Sequence, residues 1–401
     1  MTRHSGRLAL SVLLAATALL GMVSLASGAG LTPRATSAGG SAGGWAVQTS
    51  GTGQALFAVA CLSAQRCMAV GAGGTIVATT NGGKTWRSQS NPLAGTSTVL
   101  YRIACVANST CYVIGRPNII LVTHNSGASW SVHRITLAGL GPELIDATCV
   151  GAQVASLRGR PALCRLGLLD LACPSASMCL VAGTRHVPAR IGVLAPVVFL
   201  TADGGTTWTR QHIPTTIPCQ GDCTPSNARV PYPLEWIDCG PGAQCRAGGA
   251  TFLGSHPGWA TLVIRTASPG APWTSLKPIT NAGFGPAPDS AVCPTALRCY
   301  GVWTTSPFQS GNEIWLSTDG GWIWQGMSSG STRLRNAITC PAATTCYSVG
   351  NRGTITASSN GLPFLAQISH TSQDLYGVTC VALRMCVAVG NAGTIVARKN
   401  A

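Results

Sequence analysis

The sequence predicts an all-β protein, a β-propeller of seven four-stranded blades. Three observations predict it. A cysteine pair six residues apart recurs seven times along the 401-residue chain, a tight-turn motif ending in an aromatic residue follows most of the pairs, and helical periodicity is almost absent between them.

The pairs are Cys61/Cys67, Cys105/Cys111, Cys173/Cys179, Cys239/Cys245, Cys293/Cys299, Cys340/Cys346 and Cys380/Cys386. Each lies between two apolar runs, the second often ending in Val-Gly, as in LFAVACLSAQRCMAVG (56–71) and LYGVTCVALRMCVAVG (375–390). Successive first cysteines are 40 to 68 residues apart. The shortest spacing matches a four-stranded blade, and the excess reads as loop insertion.

The turn motif is TTNGGKTW (79–86), THNSGASW (123–130), TADGGTTW (201–208) and STDGGWIW (317–324), with weaker copies TASPGAPW (266–273) and SSNGLPF (358–364). Asn81, Asn125, Asp203 and Asp319 are expected to cap backbone amides in it, glycine supplies positive φ, and the aromatic residue packs inward. In the first repeat this places strands at about 56–61, 67–70, 75–79 and 85–89. The cysteine pair closes the first hairpin, and the motif makes the turn between third and fourth strands.

The last repeat ends at GTIVARKN (393–400) and lacks a fourth strand. Gly43 to Gln48 reads as the end of a turn motif followed by a strand. The N-terminal strand is therefore expected to complete the last blade, residues 45–49 pairing with 393–398, and to remove the open edge of a linear array.

The motif resembles the Asp-box of bacterial neuraminidase repeats. Residues 44–400 resemble a seven-bladed propeller of that type, similar in style to the photosystem II stability/assembly factor family. The resemblance implies a non-catalytic binding scaffold. Sialidases share the fold and supply the alternative function, a sialidase-like glycoside hydrolase. That family uses an arginine triad, a Tyr/Glu pair, an Asp acid/base and an Arg-Ile-Pro motif before its first Asp-box. Here the nearest match, Arg229-Val230-Pro231, follows the third clear box, and the chain has only three glutamates, Glu143, Glu235 and Glu313. No catalytic residue, metal ligand set or cofactor motif is assigned.

Residues 1–28 read as a signal peptide or a membrane anchor, with Arg3 and Arg7 before an apolar stretch from Leu8 to Leu25. Residues 29–44 read as a flexible linker, and 45–401 as the propeller. Beyond the seven pairs remain Cys149, Cys164, Cys219 and Cys223, so the 18 cysteines are expected to form nine disulfides, as an exported chain allows. The protein is expected to be secreted or held at the outer face of the cell envelope. The net charge of +15 rests on dispersed arginines, with lysine only at 84, 277 and 399. That suits attraction to anionic polymers, but no basic stripe or nucleic-acid module occurs.

In a four-stranded blade the first and third turns share one face, and the second turns and blade-to-blade links share the other. The large insertions, 131–170, 184–196, 212–236, 250–259 and 304–312, all fall in the second group. Two carry the four leftover cysteines. The expected partner site is there: Arg158, Arg160, Arg165, Arg229, Tyr232 and Trp236, a mixture typical of binding hot spots. The expected partner is a protein or a cell-envelope glycan, not nucleic acid, bound by a monomer.

Overall fold

The computed structural model describes residues 44–399 except 108, 136–166, 187–193, 215–216, 219–228, 231–233, 241–243, 254–257, 276–287, 289, 303–312 and 384. The leader expected over 1–28 and, Gly44 apart, the linker lie outside these residues.

Local sequence sets the strands. In the first repeat, short β-branched and apolar runs form Leu56–Cys61, Cys67–Gly71, Ile76–Thr79 and Arg87–Ser88, close to the ranges expected from sequence. Seven antiparallel four-stranded sheets follow one another along the chain. Blade 2 is Val99–Val106, Thr110–Arg116, Ile119–Thr123 and Ser131–Arg134. Blade 3 is Gly167–Ala172, Cys179–His186, Leu194–Thr201 and Thr209–Arg210. Blade 4 is Trp236–Cys239, Cys245–Leu253, Gly258–Thr266 and Thr274–Ser275. Blade 5 is Ser290–Val292, Cys299–Val302, Glu313–Ser317 and Gln325–Ser328. Blade 6 is Arg335–Thr339, Cys346–Gly350, Ile355–Ser358 and Leu365–Gln367.

Blade 7 combines Leu375–Val381, Met385–Gly390 and Ile395–Lys399 with the N-terminal strand Trp45–Gln48. The register is antiparallel, Trp45 opposite Arg398 and Gln48 opposite Ile395, as the missing fourth strand of the last repeat requires. The first strand of each blade touches the first strand of the next, and Leu56–Cys61 touches Leu375–Val381. The first strands therefore surround the axis, and the ring is closed.

Each blade is sandwiched between two others, so the middle strands read as unbroken apolar runs. Cys67–Gly71 and Ile119–Thr123 are buried along their whole length. The Val-Gly that ends the second strand has a steric cause: a Cβ at Gly350 or Gly390 would overlap the carbonyl of Leu334 or Asp374, which enters the first strand of the same blade.

The core is a series of seams between neighbouring blades, each filled by the aromatic residue of a turn motif. Trp86 packs with Met385 and Val387 of blade 7, Trp130 with Val70 and Ile76 of blade 1, and Trp273 with Leu180 and Val198 of blade 3. Trp208 meets Tyr112 edge-on, with ring centroids 6.2 Å apart, and Trp324 meets Trp236 at 6.3 Å. Phe364 packs on Tyr300, and Trp45 on Tyr347 at 6.1 Å. Trp45 thus occupies the aromatic position of the seventh turn.

Trp236 corrects one expectation. The sequence reading places it in the insertion between blades 3 and 4 as a partner contact, yet it starts the first strand of blade 4 and is 0 % exposed. A residue enclosed against Val263, Trp315 and Trp324 cannot touch a partner.

Seven disulfides join the expected pairs across the hairpins of first and second strands: Cys61–Cys67, Cys105–Cys111, Cys173–Cys179, Cys239–Cys245, Cys293–Cys299, Cys340–Cys346 and Cys380–Cys386. The sequence reading has each pair close a hairpin, and the structure adds that the second cysteine of each pair is also a core residue. Cys111 is 0 % exposed and packs with Ala58 and Met68 of blade 1. Cys179, Cys245, Cys299 and Cys346 are as fully enclosed, and Cys67 and Cys386 nearly so. The cause is position: the second cysteine begins or lies within the second strand, which neighbouring blades cover on both sides. Cys149, Cys164, Cys219 and Cys223 lie outside the described residues.

Candidate functional site

The turns between third and fourth strands repeat one hydrogen-bond pattern. In blade 1 the Thr79 hydroxyl donates to Asn81 Oδ1 at 3.0 Å, Gly83 N donates to Thr79 Oγ1 at 2.9 Å, and Thr85 N donates to Asn81 Oδ1 at 3.0 Å. Thr123, Asn125, Gly127 and Ser129 repeat it, as do Thr201, Asp203, Gly205 and Thr207, and Ser317, Asp319, Gly321 and Ile323. The two acids are committed to turn construction. The Thr207 hydroxyl and amide together with Thr201 hold Asp203 as a carboxylate, its pKa lowered to about 2. A group so held is no proton donor near neutrality.

These turns also grip the disulfide hairpins. Gly82 N donates to Gln65 O at 3.0 Å, Ser126 N to Ser109 O at 2.8 Å, Gly204 N to Ser177 O at 2.9 Å, Gly320 N to Leu297 O at 2.7 Å and Gly361 N to Thr344 O at 2.6 Å. First and third turns therefore share one cross-linked face. On the opposite face the second turns bond the blade-to-blade links: Ala72 N donates to Ala55 O at 2.9 Å, Gly74 N to Thr98 O at 2.8 Å, and Asn391 N to Asp374 O at 2.8 Å.

The second face is uneven. In blades 1, 6 and 7 the second turn is a single 3₁₀ turn, Ala72–Gly74, Asn351–Gly353 or Asn391–Gly393. In blade 2 only Pro117 and Asn118 separate the second strand from the third. In blade 3 the paired second and third strands run 8 residues each, and in blade 4 they run 9, with Leu253 opposite Gly258 at the tip. Blade 1 has 5 and 4 in the same places. At ~3.3 Å per residue, four extra residues carry the blade 4 hairpin roughly 13 Å beyond its counterpart. A further two-stranded sheet, Ile217–Pro218 with Arg229–Val230, lies in the link between blades 3 and 4, Pro218 opposite Arg229. Nothing in the sequence signals those short strands.

Of the expected partner residues, Arg229 sits in that small sheet and Trp236 in the core. Arg158, Arg160, Arg165 and Tyr232 lie outside the described residues.

Close to the axis, the first strands of blades 2 to 5 carry a polar chain. Arg102 Nε donates to Asp170 Oδ1 at 3.1 Å, with the two side chains 25 % and 15 % exposed. Ile237 N of blade 4 donates to Asp170 Oδ2 at 3.1 Å, and Cys293 N of blade 5 donates to Asp238 Oδ2 at 3.3 Å. Burial raises the pKa of Asp170 against the opposing pull of Arg102. Burial also carries Asp238 up to about 7; Asp170 adds to the rise, while Cys293 N and Arg246 oppose it. Each aspartate side chain accepts from a neighbouring blade, so these residues are a set of struts between seams. Among the described residues, no group of three or more His, Cys, Asp or Glu could hold a metal ion.

Comparison with known proteins agrees with this architecture. A family model described as photosynthesis system II assembly factor YCF48 matches residues 40–157. Among solved structures, YCF48 bound to D1 peptide superposes with a TM-score of 0.59 at 14 % identity, over 89 % of this chain and 97 % of that one. YCF48 from Cyanidioschyzon merolae gives 0.59 at 12 %, over 89 % and 98 %. A catalytically inactive virginiamycin B lyase from Staphylococcus aureus with quinupristin gives 0.57 at 9 %, over 89 % and 100 %. No curated protein matches the sequence. Identities this low speak for the fold and leave activity to the site. The chain is a seven-bladed propeller built from neuraminidase-type repeats, similar to the YCF48 assembly factors, whose family model it matches over residues 40–157.

Proposed function

We propose that this propeller is a non-catalytic scaffold that binds a protein partner, received as an extended segment on the face of the second turns and blade links, over blades 3 and 4. The observation that carries the reading is the unevenness of that face. The paired 8- and 9-residue strands of blades 3 and 4 stand above a ring whose second turns in blades 1, 6 and 7 are three-residue 3₁₀ turns. A paired hairpin beside a low ring makes a wall against which a peptide can lie, and in blade 4 the two middle strands project beyond their pairing with the first and fourth strands, which reaches only Gly248 and Ile264. The bound D1 peptide in a similarly folded YCF48 supports a peptide as the class of ligand.

The four turn acids and amides, the residues of this fold most easily mistaken for catalytic groups, are spent on the turns. Seven disulfides support export to an oxidising compartment, where the partner would be met at the cell envelope. The arginines at 158, 160, 165 and 229 would favour an acidic partner.

The test is capture by the immobilised full chain of proteins from its own cell envelope, followed by peptide mapping of the retained partner. Retention of one protein through a short linear segment, lost in the Arg229→Ala/Tyr232→Ala variant at unchanged Tm, supports the reading. Retention of glycan alone, or turnover of sialosides, overturns it.

A further inference from the structure

Alignment of the blades on the first cysteine of each pair places Leu56, Leu100, Leu168, Leu234 and Leu375 at one position, at or just before the start of the first strand, where blade 5 has Pro288 and blade 6 has Arg335. The leucines fill seams: Leu56 packs with Val387 and Val389 of blade 7, and Leu375 with Val349 and Ile355 of blade 6. Arg335 keeps this buried site, opposite Gly350, and is 0 % exposed. A guanidinium therefore stands where the repeat calls for a leucine.

Its pairing is incomplete. Nη2 donates to the Ser329 carbonyl at 3.2 Å and to the Ser329 hydroxyl at 3.1 Å, in the link from blade 5 to blade 6. Nε and Nη1 have no hydrogen-bond partner among the described residues. Ser329 is itself 1 % exposed. Burial lowers the Arg335 pKa to about 10, and no acidic side chain among the described residues opposes that shift. Arginine stays charged even so, and a buried charge is stable only when paired.

We infer that Arg335, steadied by Ser329, forms an internal anion site in the seam between blades 5 and 6, occupied by a halide ion, chloride in the native setting. Enclosure decides the class. Neither residue is reachable from the surface, so a partner's carboxylate or phosphate cannot dock there. A single-atom monovalent anion balances one guanidinium and accepts from Nε–H or from Nη1–H, which point to different sides of the planar group, without demanding a fixed direction; the Ser329 hydroxyl donates to Ser331 O at 2.9 Å and so holds Nη2 in place rather than the ion.

Thermal unfolding of the full chain in sodium chloride, sodium bromide and sodium gluconate at equal ionic strength tests this. A saturating rise in Tm with either halide over gluconate is expected, because a ligand bound only by the folded state stabilises it. Arg335→Leu, the residue of five other blades, should abolish the halide dependence. An equal response in Arg335→Leu, or no difference between the salts in the unaltered protein, overturns the assignment. Should Arg335→Leu fail to fold, bromide-soaked crystals of the unaltered protein decide. An anomalous peak within hydrogen-bond reach of Arg335 Nε or Nη1 supports the site, and a water molecule or no peak there overturns it.

Discussion

The indole of Trp86 donates a 2.8 Å hydrogen bond to Gln48 Oε1. Trp86 belongs to the first blade and Gln48 to the N-terminal strand that completes the seventh, so this bond ties the two ends of the repeat array together. Gln48 Oε1 satisfies a donor in a tryptophan only 6 % exposed.

Closure should therefore be measurable residue by residue. Gln48→Ala leaves the Trp86 N–H unpaired and is expected to cost about 1–3 kcal/mol. Trp45→Ala empties the seam against Tyr347 and is expected to cost roughly 3–5 kcal/mol. Denaturant unfolding of both variants reads these losses. Unchanged midpoints would mean that the ring does not depend on its N-terminal strand.

The seven described disulfides close hairpins of one size, so each should act locally and alike. Replacing both members of Cys61/Cys67 or Cys340/Cys346 by serine is expected to lower stability by at least roughly 2 kcal/mol, the loop-entropy value for so short a loop, with a further loss from the hydroxyl placed at the enclosed second position. Cysteine-directed peptide mapping should find every described pair bonded within its own blade, and a cross-blade pairing would contradict the register.

Most of this architecture is legible in the chain because it depends on contacts close in sequence. The hairpins, the turns around Asn81 and Asp319 and the truncated last repeat all repeat in register. Trp236 is easily misplaced because its strand follows directly on an insertion. The signal is present, however: Trp236 stands three residues before Cys239, as Ala58 does before Cys61. The struts near the axis escape a sequence reading because they join residues far apart in the chain, 68 positions between Arg102 and Asp170 and 55 between Asp238 and Cys293. Arg102 and Asp170 do share one position in adjacent repeats, opposite charges at neighbouring first strands, and that juxtaposition is the available clue. The partner site is the least legible part, since inserted loops follow no repeat.

Asp203 and Asp238 should titrate in opposite directions from an ordinary aspartate near 4. The Asp203 pKa is lowered to about 2, so its contribution to stability is present above pH ~4 and is lost as pH falls through 2. The Asp238 pKa is raised to about 7. The folded state then holds a proton that the unfolded state releases, so this contribution is full below pH ~4 and is lost as pH rises through 7. Asp238→Asn retains an acceptor for Cys293 N. Relative to the unaltered protein it is expected to gain stability progressively between pH 4 and 7, read as the difference in Tm across that range. A constant difference would show that Asp238 is already ionised in the folded protein at acid pH.

The two faces should separate stability from binding. The blade 4 hairpin continues past the ring from Gly249, opposite Leu262, to Leu253, opposite Gly258. Replacing residues 250–261 by Asn-Gly keeps an antiparallel hairpin with a favoured two-residue turn and removes only the projecting part. Partner capture should fall at least tenfold while Tm stays within a few degrees. Asn81→Ala on the opposite face removes acceptors for Thr79 Oγ1 and Thr85 N, and should cost about 1 kcal/mol while sparing capture. If the hairpin deletion unfolds the protein and Asn81→Ala abolishes capture, the working face is the cross-linked one. The unevenness of blades 3 and 4 would then be internal architecture with no part in recognition.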